Sequence, residues 1–243
     1  MPKPYTARTY RNTIECPALQ TFEVHAAESD LWIASDAMHA DIARAALRAC
    51  RAQISSRIRQ QPEFQTSLEP LADDPAAAPI IRSMLAAGRT ANVGPMAAVA
   101  GAIATAVGTA LRQHANTVVV ENGGDIYLHA PEPLIVGIFA GASPLSSKIG
   151  LRVGGNDQPT GVCTSSATVG PSLSLGAADA ATVVSPNTAL ADAAATALGN
   201  RVRTAADIDP ALQWVSRLPE IRGALIIIND AMGAWGALEL VHL

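Results

Sequence analysis

An aspartate and a threonine one helical turn apart, Asp192 and Thr196, are the first residues whose types and spacing could do chemistry. Residues i and i+4 lie on the same face of a helix, and only alanines separate this pair. A carboxylate and a hydroxyl placed in this way supply oxygen ligands for a hard cation such as Mg2+. An acid near the start of a helix also interacts favourably with the helix dipole, so the spacing alone leaves a structural role open.

Two further polar segments offer contacts for a ligand. Cys163-Thr-Ser-Ser166 begins a stretch rich in glycine and serine, whose hydroxyls and amides suit a phosphate or pyrophosphate, or form an ordinary polar turn. Asn122-Gly-Gly-Asp125 lets a ligand approach the backbone and offers Asp125 as a base or ligand contact, but it is equally typical of a hairpin turn. The Cys163 thiol is as consistent with an inert buried group as with a nucleophile.

The sequence excludes several widespread kinds of site. It contains no P-loop, dinucleotide-binding fingerprint, His-Glu-x-x-His or Gly-x-Ser-x-Gly motif. The histidines are scattered without a metal-like spacing, which argues against a histidine-based metal cluster: they are His25, His39, His114, His129 and His242. The cysteines share no metal-like spacing either and are odd in number, which argues for a reducing compartment: they are Cys16, Cys50 and Cys163.

Composition narrows the class of protein. With 243 residues, of which 49% are hydrophobic and 16% charged, the chain can bury a sizeable core. The net charge is −4 and the only lysines are Lys3 and Lys148, so no cationic surplus exists for nucleic acid. The uncharged stretch 90–111 owes its apolarity to alanine and glycine, which favours a buried helix over a membrane span. The N-terminus lacks a secretory signal, and we expect a cytoplasmic protein.

The elements that must position these residues alternate between helices and hairpins. Asp36 is the expected N-cap of the first helix, and a loop is expected over 61–78. Because both hairpins and helices separate the strands, we predict an α+β protein with a mixed or largely antiparallel sheet. The predicted strands cover 19–25, 31–34, 117–120, 126–128, 134–139, 149–153, 181–184, 224–228 and 236–241, and the predicted helices cover 38–60, 79–88, 95–112, 188–198 and 205–217.

The predicted helix at 95–112 carries small residues at every fourth position. They form a stripe of Gly94, Ala98, Ala102, Ala106 and Ala110. Glycine inside a helix costs about 0.5–1 kcal/mol relative to alanine, so Gly101 and Gly108 indicate a steric demand. The stripe predicts either close packing against another element or a helix whose N-terminal amides face an anionic ligand.

Four short segments occur in an order that resembles the ApbE superfamily of FAD:protein FMN transferases, once described as thiamine-biosynthesis lipoproteins. They are Gly94-Pro-Met-Ala-Ala-Val-Ala-Gly101, Glu121-Asn-Gly-Gly-Asp125, Cys163-Thr-Ser-Ser166 and Ala191-Asp-Ala-Ala-Ala-Thr-Ala-Leu198. Over nearly its full length the chain is similar to a compact bacterial and archaeal branch, which Tyr10-Arg11 and the segments 30–33 and 234–236 also fit. The resemblance implies an α+β, T-fold-like architecture, with a mixed, largely antiparallel sheet packed with helices. We expect one domain over 1–243, with subdomains meeting near residue 115.

The resemblance also implies a site. Asp192 and Thr196 match the magnesium ligands, the backbone carbonyl of Ala97 completes the set, and Asp192 is the candidate catalytic residue. The Mg2+ would contact the pyrophosphate of FAD, with FMN as the alternative flavin. The residues implied to bind the nucleotide are Gly94, Met96, Ala97, Asn122, Gly123, Gly124, Asp125, Thr164, Ser165 and Ser166.

The chain departs from the superfamily pattern in three respects. Ala98 stands where those enzymes have a lysine, and no histidine occurs between Ser166 and Ala181, where they have a His-x-x-Asp-Pro segment. The lipobox signal is also missing. Metal and pyrophosphate features are therefore retained better than the features that serve transfer to an acceptor protein.

Three functions stay open. The first is Mg2+-dependent binding of a flavin or another nucleotide, extending to FMN transfer. The second is a non-catalytic accessory protein with a protein partner, for which the branch implies sulfur assimilation or sulfide-dependent homocysteine synthesis. The third is a small-metabolite enzyme that uses the same pocket. The alanine-rich stripe and moderate charge are also compatible with a homodimer.

Overall fold

The computed structural model describes residue 11 and residues 18–170 and 174–243. Lys3, Tyr10 and Cys16 lie outside the described residues.

An eight-stranded sheet forms the middle layer of the protein. Its strands are β1 (Gln20–Ala26), β2 (Ser29–Ser35), β3 (Val118–Asn122), β4 (Asp125–His129), β7 (Thr160–Ser165), β8 (Ala180–Ser185), β9 (Gly223–Ile228) and β10 (Ala231–Gly236). Their order across the sheet is β1-β2-β3-β4-β7-β8-β9-β10, and every pairing among these described strands is antiparallel. The predicted α+β class with a largely antiparallel sheet is confirmed.

A smaller sheet covers one face of the large one. Its strands are β5 (Pro133–Gly137), β6 (Ile149–Gly154) and β11 (Glu239–His242), in the order β11-β6-β5. Val136 and Leu151 of this sheet pack with Val162 and Leu225 of the large sheet. Since helices cover the opposite face, strands such as β9 are buried on both sides and consist of apolar runs rather than alternating residues.

The helices form the third layer. They are α1 (Ala40–Gln60), α2 (Glu63–Thr66), α3 (Pro79–Ala91), α4 (Val99–Leu111), α5 (Thr188–Gly199) and α6 (Ile208–Val215), with 3-10 turns at Pro95–Ala98 and Ala205–Asp207. Ile33 and Val183 of the large sheet share one hydrophobic core with residues such as Leu47 and Leu198 of the helices. This core lies between the large sheet and the helices.

Close packing explains the glycines of α4. A Cβ on Gly101 would lie 2.5 Å from the backbone oxygen of Thr188, and a Cβ on Gly108 would lie 2.2 Å from the ring of Tyr127. The steric demand inferred from these two glycines is therefore confirmed: α4 approaches the first turn of α5 at one glycine and strand β4 at the other.

Three local predictions are wrong. The residue before α1 is His39, and Asp36 instead accepts the backbone N–H of Asn116 at 3.1 Å, so it ties the end of β2 to the start of β3. The predicted loop at 61–78 contains helix α2. The predicted closing strand at 236–241 is in fact the end of β10 and most of β11, because Gly236 has a positive φ of 91° and breaks the strand there.

Strands from both sides of residue 115 pair directly, since β2 lies beside β3. The division of a single domain into subdomains near that residue stays a prediction. Among the described helices, none alone is long and apolar enough to cross a membrane; α3 and the segment Pro95–Leu111, bent by 107°, pass that test only as a pair.

Candidate functional site

The candidate site is built around Asp192, at the point where α5 meets the N-terminal end of α4. Asn187 caps α5, its side-chain oxygen accepting the N–H of Leu190 at 3.1 Å, and this fixes where the second turn presents Asp192. The Asp192 Oδ2 atom accepts the backbone N–H of Gly101 at 2.8 Å. Asp192 thus caps α4, a helix 91 residues away in the chain. The anion that the N-terminal amides of α4 face is a side chain of the protein itself.

Burial governs the protonation of Asp192. The residue is only 8% exposed, and this burial raises the pKa of its carboxyl to about 7, although the backbone N–H groups of Gly101 and Ala100 act in the opposite direction. The carboxyl therefore exchanges its proton near neutral pH. A cation that approaches a buried acid of this kind stabilises its ionised form and lowers its pKa.

A second acid faces the same interior. Asp125 opens β4 opposite Cys163 of β7, and its pKa is raised well above the usual range by burial, then by the charge of Asp192, with Glu121 contributing less. Cys163 is fully buried, and its Sγ donates to the backbone oxygen of Thr188 at 3.4 Å. Burial and both aspartates raise the pKa of this thiol, which favours the inert interpretation over the nucleophile.

The Asn-Gly-Gly-Asp segment forms a two-residue hairpin turn. Asn122 pairs with Asp125, and the glycines between them take positive φ angles of 72° and 101°, so the hairpin interpretation is confirmed in geometry. The Asn122 amide nitrogen donates to the carbonyl of Ala100 at 3.2 Å, and the N–H of Thr164 donates to the carbonyl of Gly124 at 3.2 Å. These contacts hold the turn beside the first turn of α4 and the end of β7.

The three residues after Cys163, at the end of β7 and in its exit loop, have partners close by. The Thr164 hydroxyl lies 2.9 Å from that of Thr182, and the Ser166 hydroxyl accepts the N–H of Thr168 at 3.1 Å and of Val169 at 2.9 Å. Ser165 pairs with Ala181 across the sheet. All three predicted binding residues lie at the same end of the sheet as the hairpin turn.

Gly94 and Met96 lie where the chain enters α4. A Cβ on Gly94 would lie 1.8 Å from the backbone oxygen of Ser67, so this glycine is required for packing. Half-buried Met96 packs against the main core. Their predicted nucleotide contacts stay predictions.

The implied magnesium ligands lie on two elements that pack together, and their role as ligands stays a prediction. Ala97 lies in the 3-10 turn that precedes α4 and packs against α5, and half-buried Thr196 follows Asp192 by one turn of α5. The set consists of oxygen donors, which suit Mg2+. The Thr188 hydroxyl is an additional buried oxygen, and it has no hydrogen-bond partner among the described residues.

Sequence reasoning missed two features. The fold brings His25 together with Glu23 and Asp30, with ligand atoms within 4.8 Å of one another, although the Arg11 guanidinium already pairs with both carboxylates. A cavity of about 260 Å³ also opens beside Asp179, at the same end of the sheet as the hairpin turn. Only a three-dimensional fold brings these groups together.

The layered fold is that of known flavin transferases. The apo flavinyl transferase ApbE of Pseudomonas stutzeri superposes with a TM-score of 0.57 at 13% identity, over 92% of this chain and 94% of that one. The flavin transferase ApbE of Vibrio cholerae superposes with a TM-score of 0.59 at 11% identity, over 90% and 97% of the two chains. At these identities the likeness concerns the fold alone.

Sequence relatives are much more similar. A UPF0280 protein of Methanocella arvoryzae is 48% identical over 193 residues, 79% of this chain and 78% of the relative. A UPF0280 protein of Methanosarcina acetivorans is 41% identical over 244 residues, 99% of this chain and 95% of the relative. The family described as "AbpE bacteria" matches residues 13–228, and the chain belongs to this family.

Proposed function

We propose that the protein binds a flavin nucleotide, FAD or FMN, together with Mg2+ at the end of the sheet where Asp192, Asp125 and the hairpin turn meet. The observation that carries this proposal is the buried Asp192 carboxyl, which is 8% exposed, accepts the N–H of Gly101, and raises the pKa of Asp125, a second buried acid, through its charge. A divalent cation would replace the proton of the Asp192 carboxyl and relieve the repulsion between the two acids. The printed activity of the structural neighbours, flavin transfer, supports the choice of ligand.

In this proposal Asp192, Thr196 and the carbonyl of Ala97 hold the Mg2+. When bound, the ion neutralises charge on a pyrophosphate and so eases cleavage of the phosphoanhydride. Asp192 orients the ion because its other oxygen is already fixed by the N–H of Gly101. Removal of the carboxylate therefore removes the ion and leaves the pyrophosphate unneutralised.

The nucleotide lies across the turn and the exit of β7. Gly123 is exposed and carries no side chain, so a ligand can approach the backbone there. The half-buried hydroxyls of Thr164, Ser165 and Ser166 provide polar contacts at the same end of the sheet. Asn122 fixes the turn against α4 through its bond to the carbonyl of Ala100.

Flavin binding could lead to FMN transfer or could occur without transfer, and the residue at position 98 favours one of these two outcomes. FMN transfer would split FAD between its two phosphates and release AMP while FMN is attached to an acceptor hydroxyl. Ala98, which stands where the ApbE enzymes have a lysine, is fully buried in the core, and this favours a second candidate: flavin binding without transfer in an accessory protein. As part of the same proposal, the protein forms a homodimer, has a protein partner and is located in the cytoplasm.

The test is a titration of the purified protein with FAD, with and without Mg2+, while AMP release is measured. We expect Mg2+-dependent FAD binding that Asp192→Ala removes and Asp209→Ala, a change of an exposed aspartate on α6, leaves intact. Binding with AMP release supports transfer, and binding without it supports the accessory function. Absence of FAD binding overturns the proposal, and Mg2+-dependent binding that survives Asp192→Ala overturns the metal assignment.

A further inference from the structure

Glu121 is a buried acid that reaches the hairpin turn of the site. It lies in β3 immediately before Asn122 and is only 2% exposed. Its Oε1 atom accepts the backbone N–H of Gly124 at 2.7 Å. The carbonyl of Gly124 in turn accepts the N–H of Thr164 at 3.2 Å. The two peptide groups that flank Gly124 are therefore oriented separately, the one before it by the carboxylate of Glu121 and the one after it by β7.

The other oxygen of Glu121 is held by an arginine from the beginning of the chain. The Nε and Nη2 atoms of Arg11 lie 2.6 Å and 2.5 Å from Glu121 Oε2. The same guanidinium donates to the side chain and the backbone oxygen of Asp30, both at 2.9 Å. Arg11 therefore connects the β1–β2 hairpin to the β3–β4 hairpin.

This ion pair is largely removed from solvent, because the side chains of Arg11 and Glu121 are 8% and 3% exposed. Burial alone disfavours the charged guanidinium, but the carboxylates of Glu121 and Asp30 outweigh that effect and raise the pKa of Arg11. A buried carboxylate that loses a cationic partner is drawn towards water or another donor. When Glu121 moves in this way, its charge-assisted bond to the N–H of Gly124 weakens.

We propose that Arg11 is a positioning residue for the nucleotide site, acting through Glu121 on the Gly123-Gly124 turn. Its effect on ligand affinity rests on the proposed flavin function, whereas its effect on the turn does not. Arg11 touches neither ligand nor metal in this scheme. Arg11 holds the Glu121 carboxylate, and the Glu121 carboxylate holds the turn. For comparison, removal of a residue that orients a metal ligand typically changes affinity by about ten- to a hundredfold.

The experiment compares Arg11→Ala with Arg51→Ala. Arg51 is a matched control because it pairs with Ser29 and Glu28 of the same β1–β2 hairpin but does not contact Glu121 in the described contacts. Amide exchange of Gly124 is measured by NMR in the free protein, and FAD affinity is measured with Mg2+. In Arg11→Ala we expect Gly124 to exchange about tenfold faster and FAD to bind about tenfold more weakly, while Arg51→Ala changes neither.

Arg11→Lys completes the series. Lysine keeps the charge but cannot form the two-pronged contact, so it is expected to restore part of the protection of Gly124, and it replaces Arg11→Ala if that variant does not fold. The proposal is overturned if the amide exchange rate of Gly124 is unchanged in Arg11→Ala, or if it rises equally in Arg51→Ala. It is also overturned if Gly124 exchanges faster in Arg11→Ala while the affinity for FAD stays unchanged. If the wild-type protein binds no FAD, the proposed function fails, and the exchange of Gly124 alone decides whether Arg11 positions the turn.

Discussion

The carboxylate of Asp192 accepts the backbone N–H of Gly101 at 2.8 Å, and the Cβ of Asp192 lies where a side chain at Gly101 would have to go. One residue therefore both caps α4 and sets its distance from α5. The helix N-terminus favours the ionised carboxylate, whereas burial favours the protonated acid. Because burial outweighs the effect of the helix N-terminus, the pKa of Asp192 is about 7. Its titration can therefore be measured at pH values at which proteins are commonly studied.

The first prediction concerns the dependence of stability on pH. Because folding raises the pKa of Asp192 from 3.8 to about 7, its contribution to stability is fully present below pH 3.8 and is lost as the pH rises towards 7. Each pKa unit corresponds to about 1.4 kcal/mol, so wild type should lose several kcal/mol relative to Asp192→Asn across this range.

Urea unfolding of both proteins at pH values between about 4 and 8 measures the difference, because the titrating groups that do not interact with Asp192 cancel between them. The change at Asp125, whose pKa the charge of Asp192 raises, is part of the measured difference. Asp209→Asn, in an exposed position of α6, serves as the control and should follow wild type at every pH. If the difference in unfolding free energy between wild type and Asp192→Asn does not change with pH, the raised pKa of Asp192 is wrong.

The second prediction concerns the packing of α4. Gly101→Ala places a Cβ 2.5 Å from the backbone oxygen of Thr188, so we expect a loss of about 1–3 kcal/mol in the free energy of unfolding, despite the higher helix propensity of alanine. Gly199→Ala is the matched control, because its Cβ would make ordinary contacts at 3.5 Å and beyond. This second variant should be neutral or slightly stabilising in urea unfolding, and equal effects of the two changes would refute the steric explanation.

The third prediction concerns the unpartnered hydroxyl of Thr188. Replacing a buried hydroxyl that lacks a partner by a methyl group removes a desolvation cost, so Thr188→Val should stabilise the free protein by about 1 kcal/mol. Thr182→Val should instead destabilise it, since the Thr182 hydroxyl lies 2.9 Å from that of Thr164. Thermal unfolding of the two variants tests the contrast. Destabilisation by Thr188→Val would show that its hydroxyl has a partner after all.

Local rules predicted the parts of the site that depend on neighbouring residues. The turn at Gly123 and Gly124 follows from Asn-Gly chemistry, because glycine tolerates the positive φ angles that the hairpin requires. The helix that carries Asp192 was predicted over 188–198, and the structure has it at Thr188–Gly199, where the Asn187 cap fixes its start. These elements form in nearly the same way wherever such residues occur.

Contacts between distant segments could not be predicted. The capping rule assigned Asp36 to the start of α1, but the N–H of Asn116, 80 residues away, competes for the same carboxylate and binds it. The partnership of Asp192 with Gly101 is likewise set by how α4 and α5 pack. The glycines of α4 did carry a signal, since they showed that something approaches closely without identifying it.

The last prediction concerns the reactivity of Cys163. A thiol reacts as its thiolate, and burial together with the nearby Asp125 and Asp192 raises the pKa of Cys163 well above the usual value while excluding the reagent. We expect iodoacetamide at mildly alkaline pH to leave Cys163 unmodified in the native protein and to modify it fully in urea, as read by peptide mass spectrometry. Cys50, also buried with a raised pKa, should behave in the same way. Labelling of Cys163 in the native protein at the rate found in urea would mean that the interior beside Asp125 is open to solvent, and the raised pKa values of both aspartates would then be wrong as well.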